Sequence, residues 1–208
     1  MALKRDDIVR AALDLLDRVG LDRLSLRVLA EQLGVQAPTL YWHFENKQAL
    51  LDEMAGALMN GLDGAETPGG DQTWEGWLRW LAHRMRLAML SRRDGALLTV
   101  RTSPDVQQWD ALEFIADALV RNGFKPEDAL RGIGTLMNYV LGATLAQQLA
   151  AFGTNSWGDI ENQVREPEHP TLASAIAADP GFGHDQRFEH GLDIVLLGMR
   201  SMLQPAAG

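Results

Sequence analysis

Leu24–Leu51, LSLRVLAEQLGVQAPTLYWHFENKQALL, decides the reading of this chain. Ser25 is placed to cap a helix whose apolar residues Leu26, Leu29, Ala30 and Leu33 share one face. Gly34 stops it, and Val35 turns back toward the same core. Pro38 then sits in the first turn of a second short helix, Gln36 to about Phe44, where a missing N–H is harmless. Asn46 caps the helix that follows, which carries Leu50, Leu51, Met54, Ala55 and Leu58 to about Leu62. Two short helices across a turn of about three or four residues containing glycine make a helix-turn-helix.

The second of these helices is short, so each side chain is informative. Leu40 and Phe44, spaced i, i+4, define its core face, and Thr39, Tyr41, Trp42 and His43 cannot all turn inward as well. A hydroxyl, a phenol, an indole and an imidazole donate to phosphate oxygens and press apolar surface on thymine methyls. Ala37 and Pro38 at the helix start are small enough for close approach to base edges. The alternative is that Tyr41 and Trp42 are half-buried aromatics of a small three-helix domain.

Outward from this stretch the pattern stays helical. A first helix begins at Asp6 or Asp7 as cap, carries Ile8, Val9, Ala12, Leu13, Leu15 and Leu16, and ends at Gly20. Gly61–Thr73, rich in Gly, Asp and Pro, is the clearest boundary. Beyond it helices are expected from Trp74, from Pro104 to Asn122-Gly123, from Lys125 to Phe152 and from His184 to Leu203. A broken stretch covers Arg92–Pro104, and a short Ala-rich helix precedes Asp179. No alternating strand pattern appears, so the fold class is all-α.

The 208 residues hold no cysteine, which excludes disulfides and thiolate metal sites. The first twenty residues are broken by charge and lack the apolar core of a secretory signal, and no window spans a membrane, so a cytoplasmic location is expected. The net charge of −9 argues at first against nucleic acid. Residues 1–47, however, balance seven basic against seven acidic groups, and the acidity belongs to the rest. The N-terminal part is free to gather its cations on one face. Among the histidines only His184 and His190 share a helix, six apart and on different faces, so neither a metal nor a cofactor is expected. Arg84, Arg86, Arg92 and Arg93 read as a solvated face or as ion pairs.

LDLLDRVGLDRLSLRVLAEQLGVQAPTLYWHFENKQALLDEMA, LAMLSRRDGA and RFEHGLDIVLLGM closely resemble the TetR family, and the tetracycline-responsive repressors within it. The resemblance implies a homodimeric, all-helical repressor that binds double-stranded DNA at a palindromic operator and is released by a small-molecule effector. It implies an N-terminal helix-turn-helix domain (1–46), a connecting helix (47–63) and a larger C-terminal ligand-binding and dimerisation domain (64–208). Arg27 then matches a base-reading arginine, Pro38 and Tyr41 match contacts to base methyls, and Thr39, Trp42 and Lys47 match phosphate contacts. Ala37 departs, standing where the tetracycline repressors place a glutamine that reads adenine. A different operator is expected.

In that family the drug is a magnesium chelate inside the larger domain. Thr99 and Ala146 stand where the histidine and glutamate that organise the metal would be. Asp63, Leu81 and Ile115 replace residues that hydrogen-bond the drug, and Met85 replaces a pocket aromatic, whereas Thr102 and Pro104 match. Magnesium demands oxygen ligands in tight geometry, so this ligand is not expected. Leu81, Met85, Val100, Leu112, Ile115 and Ile133 are candidate walls for an apolar effector, with Thr99, Thr102, Ser103 and Asn138 as polar tips. Alternatively they fill a core. Two apolar stripes, Leu130–Leu145 and Phe188–Met202 (within helices of about 127–152 and 184–203), fit a four-helix homodimer interface or an intramolecular core. A DNA-binding regulator with no effector is the second functional class. An enzyme has no supporting motif.

Overall fold

The structure is a computed structural model that describes residues 3–59, 73–102, 106–151, 164–178 and 183–203. Ten α-helices are described, and no strand occurs among these residues. Four build a small head: α1 (Arg5–Val19), α2 (Leu26–Leu33), α3 (Ala37–Tyr41) and α4 (Lys47–Met59). Six build a larger body: α5 (Trp74–Leu90), α6 (Gly95–Val100), α7 (Val106–Arg121), α8 (Pro126–Ala151), α9 (Pro170–Ala178) and α10 (His184–Arg200). The Gly- and Pro-rich boundary lies mostly outside the described residues, as do Asp63, Ser103, Pro104 and Phe152.

Local chemistry sets the head's elements. The Ser25 hydroxyl accepts from the Val28 N–H at 3.2 Å, and Asn46 Oδ1 accepts from Ala49 N at 2.9 Å. Gly34, at φ 65°, closes α2 in the left-handed conformation that a side chain resists. α3 has only five residues, shorter than the expected Gln36–Phe44, because Gln36 is its cap and the chain leaves the helix at Trp42. The start of α1 also differs: Lys4 is the cap, and Asp6 and Asp7 sit inside the first turn, where carboxylates face the positive helix end. Arg5 supplies a reason, since its guanidinium lies over the Phe44 ring and pairs with Glu53, drawing the helix start onto the head.

Ile8, Ala12, Leu16, Leu21, Leu29, Leu40, Phe44, Leu50 and Met54 fill the head's core. One further member comes from far along the chain. Leu98 of α6 is completely buried in this same cluster, so a body helix supplies a core residue to the head. Burying a leucine side chain is worth about 1.5–3 kcal/mol.

In the body, α8 is the axle. Its 26 residues extend about 39 Å, and α5, α6, α7 and α10 all pack against it. Ala129, Ile133, Leu136, Val140 and Thr144 turn inward at helical spacing, and the Thr144 hydroxyl donates to Val140 O at 2.6 Å. Gly132 admits α10 closely, since a Cβ there would lie 2.6 Å from Met199 Cε. α10 ends at Arg200, three residues before the expected end. α9 buries none of its residues.

Candidate nucleic-acid interface and sensing site

α3 presents its aromatics to solvent. Trp42 is 90% exposed and Tyr41 56%, while Leu40 and Phe44 are sealed beneath them. The half-buried reading of Trp42 therefore fails. Pro38 and Arg27 are exposed, and Ala37, Thr39, His43 and Lys47 are half-buried. The His43 carbonyl accepts from Arg5, which fixes the exit from α3. Tyr41 at the end of α3 and Trp42 just beyond it thus leave two adjacent aromatic rings in water, an apolar surface of the kind that marks an interaction site.

Lys47 has a second attachment. Its Nζ donates to Leu21 O at 3.3 Å, and the Leu21 N–H donates to Asp94 Oδ2 at 2.9 Å. Asp94 heads the α5–α6 corner and holds φ 55°, among the described residues the sole positive φ outside glycine. Around it the corner grips the head: Arg92 pairs with Asp14 at 3.0 Å and Asp17 at 2.7 Å, and the Arg93 N–H donates to Asp17 at 2.8 Å. The hydrogen bond to Asp17 raises the Arg92 pKa, keeping the guanidinium charged. On the body side Gln148 of α8 accepts from Ala96 N at 3.0 Å and donates to Met89 O and Arg92 O at 3.1 and 2.9 Å. Sequence reading missed Asp94, Leu98 and Gln148, and only the Asp94-Gly95 dipeptide hinted at the corner.

The four arginines grouped by sequence do not make one surface. Arg92 belongs to this clasp, and Arg84 lies 5.4 Å over the Trp80 ring. Arg86 is buried, donating to Gln147 at 2.6 Å and Asp185 at 2.5 Å with its guanidinium over Phe188. The hydrogen bond from Arg86, and then its charge, lower the Asp185 pKa below the ordinary carboxylate value. A lowered acid pKa means stability present above the carboxylate range and lost as pH falls through the folded value. Because Asp185 is largely solvated, the increment is small. Asp185→Asn is expected to lower the unfolding temperature by a few degrees at most at neutral pH. The gap to wild type should close as pH falls through the carboxylate range and below the lowered Asp185 value, which scanning calorimetry across pH will check.

The expected effector residues divide. Leu81 and Ile133 are buried in the body core, with Met85, Leu112 and Ile115 packed against it. Thr99 and Thr102 are half-buried, and their hydroxyls donate to Gly95 O and Thr99 O at 2.9 Å. Two residues fall elsewhere. Val100 is 48% exposed at the end of α6, and Asn138 lies on the open side of α8, two residues away from the inward positions Leu136 and Val140. Two open pockets mark the surface. One of ≈ 290 Å³ lies where Arg92, Asp94 and Gln148 meet. One of ≈ 700 Å³ lies between α7 and α8, lined by Trp109, Leu112, Val120 and Leu130 with three carboxylates. Neither is enclosed by the expected walls. Among the described residues no cluster of side chains is arranged to hold a metal.

The apolar stripes of α8 and α10 divide as well. Ile133, Thr144, Phe188, Leu192 and Met199 are core of this chain, so for these residues the intramolecular alternative holds. The outward apolar residues are Leu130, Met137 and Leu149 on α8 and Ile194, Leu197 and Met202 beyond them. Gly134, Gly142 and Gly198 have open space where a Cβ would stand.

This geometry has close counterparts. Residues 8–54 match the family model described as bacterial regulatory proteins, tetR family, and residues 67–203 match the tetracyclin repressor-like C-terminal domain. The chain belongs to the TetR family. The tetracycline repressor protein class A from transposon 1721 of Escherichia coli is 38% identical over 197 residues, covering 95% of this chain and 90% of that protein. The crystal structure of a possible TetR family transcriptional regulator from Streptomyces coelicolor superposes with a TM-score of 0.85 at 32% identity, covering 95% of this chain and 99% of the other. A class A TetR in complex with 5a,6-anhydrotetracycline and magnesium gives 0.72 at 31% identity, covering 96% of this chain and 99% of the other. This TetR-family chain is thus a transcriptional regulator with a helix-turn-helix DNA-binding head and a helical C-terminal domain of the ligand-binding type. Its relatives are regulators and not enzymes, which closes that class. Among the described residues no helix is long and apolar enough to cross a membrane.

Proposed function

We propose that this TetR-family regulator is a cytoplasmic repressor that binds a palindromic operator as a homodimer. It leaves the operator when a small, largely apolar effector, other than a magnesium–tetracycline chelate, enters the body. The observation that carries the reading is Leu98: α6 is a body helix whose leucine is core to the head, so a shift of α6 cannot leave the head's packing unchanged. An effector that binds better when α6 is displaced then biases the head away from its DNA-binding position.

Residues 1–46 act as the reading domain, 47–63 as the connecting helix and 64–208 as the sensing and dimerising domain. At the DNA, Arg27 reads a base, Pro38 and Tyr41 press on base methyls, and Thr39, Trp42, His43 and Lys47 hold phosphates. Ala37 offers a methyl group and no amide, so the operator differs from that of the tetracycline repressors. Within the body, Leu81, Met85, Leu112, Ile115 and Ile133 form the apolar side of the effector site, with Thr99 and Thr102 beside α6. Thr99 and Ala146 supply neither the imidazole nor the carboxylate that a magnesium chelate would need. The dimer forms through the outward faces of α8 and α10, where Met137, Ile194 and Leu197 alternate with open glycines that let helices approach closely.

Footprinting on the DNA upstream of the protein's own reading frame tests this. Two protected half-sites about 34 Å apart are expected. Thermal-shift screening with neutral apolar compounds should find a stabiliser that also releases the operator. A second reading, a regulator without an effector, is favoured by the close packing of Leu81 and Ile133. A screen that gives stabilisation without release, or neither, selects it.

A further inference from the structure

Trp77 stands apart in the body core. Its side chain is among the largest fully buried ones, at 1% exposure, yet its indole Nε1 is buried with no hydrogen-bond partner. Buried tryptophans ordinarily find an acceptor for this N–H, because leaving it unpaired forfeits its hydration for nothing in return. An orphaned buried donor therefore asks for an explanation.

Position supplies one. Trp77, Leu81 and Met85 follow at i, i+4 and i+8, so they share one stripe of α5. The Trp77 ring meets Phe114 of α7 edge-on, with centroids 6.2 Å apart. α7 also carries Leu112 and Ile115. The orphaned donor thus lies in the wall between the two helices that contribute most of the proposed effector contacts. The other buried polar groups among the described residues are already engaged, Arg86 by Gln147, Asp185 and Phe188, and the Thr144 hydroxyl by Val140 O.

We propose that Trp77 is the polar anchor of the effector site, its Nε1–H donating to a carbonyl oxygen of a neutral, mostly apolar, ring-containing effector. The inference rests on the sensing reading above and specifies the chemistry that site takes. An uncharged acceptor is required, because a carboxylate beside Trp77 would be desolvated, and the buried cluster around it holds only apolar side chains among the described residues. One donor in an apolar wall fixes orientation, and the stripe of Leu81 and Met85 supplies contact area.

The test uses the full-length protein and two probes of nearly equal shape, methyl β-naphthyl ketone and β-isopropenylnaphthalene, which differ in C=O against C=CH₂. The six indole N–H signals are followed in proton–nitrogen correlation spectra, with the Trp77 signal assigned from Trp77→Phe. In wild type the ketone is expected to bind about tenfold tighter than the alkene, the yield of one good hydrogen bond. It alone should carry the Trp77 signal downfield. Trp77→Phe replaces the indole by a smaller phenyl ring and deletes the donor, so it should erase the preference, at a cost in thermal stability from the space left in the core. The preference of the wild-type protein for the ketone over the alkene decides even if the variant folds poorly. Equal binding of both probes, or ketone binding that leaves the Trp77 signal in place, overturns the anchor and leaves the sensing reading standing. If neither probe binds, the anchor as stated is overturned, and the sensing reading is decided separately by the thermal-shift screen.

Discussion

Gly95→Ala is expected to lower the unfolding temperature more than any other single methyl added at a described glycine of this chain. A Cβ at Gly95 would be driven into the carbonyl oxygen of Met89, and would stand 3.0 Å from the carbonyl carbon and 3.2 Å from the Cα of the same residue. These are backbone atoms, so no rotamer change relieves the overlap. The α5–α6 corner must open instead. Asp94 already holds the left-handed conformation there, at a cost of order 1–3 kcal/mol. That conformation is kept by the Leu21 hydrogen bond and by Gln148, which ties Met89 O and Arg92 O to α8. Opening the corner releases these bonds together and draws Leu98 from the head's core. A loss of about 3 kcal/mol is expected, or roughly 6–12 °C for a chain of this size. Gly56→Ala is the control: a Cβ there meets nothing within 4 Å, and replacing a mid-helix glycine should stabilise by about 0.5–1 kcal/mol. A Gly95→Ala protein that unfolds within a degree of wild type would show that the corner is not held as described.

What could be read from sequence, and what could not, follows the range of the interactions. Ser25, Gly34 and Asn46 were legible because a cap is decided within about four residues. Leu40 and Phe44 were legible because one helical turn relates them. The clasp was not, since Asp94 and Leu21 meet across 73 positions and neither residue type announces a partner. Faces of long helices lie between these cases. The α8 stripe is real, but apolar residues surround that helix, so periodicity left open which side of Leu130–Leu145 the chain buries for itself. The same ambiguity left Phe188 and Met199 open between an outer face and the core they fill, and placed Asn138 on an inner side it does not have. Trp77 was visible as an apolar residue of α5. That its N–H lacks an acceptor is a property of the whole core and has no signature in sequence.

Arg27→Ala and Lys47→Ala should part company in a way that tests the docking of the head. Arg27 is exposed in the first turn of α2, and its removal should leave stability within about 0.5 kcal/mol. If its guanidinium grips a base edge, each half-site loses about 1–3 kcal/mol of discrimination. A dimer on two half-sites then loses roughly thirtyfold or more in operator affinity. The loss must fall on one symmetric pair of base positions, because a substitution there in the operator costs the variant nothing further. Lys47 is different, because one of its three donors is already given to Leu21 O, beside the peptide N–H that Asp94 holds. Two donors remain for a phosphate. Lys47→Ala should therefore weaken binding about uniformly across operator variants and reduce the salt slope by about one per half-site. Unlike Arg27→Ala, it should also lower the unfolding temperature, since it strips the bond within the head that holds the Leu21 peptide in place for Asp94. Salt-dependent mobility-shift titrations on an operator series, run beside thermal melts, separate the two. Should Arg27→Ala weaken every operator alike, its role is phosphate contact, and base reading lies with α3 instead of α2. If Lys47→Ala melts with wild type, the Leu21 bond contributes nothing to the clasp, and the lysine answers to DNA alone.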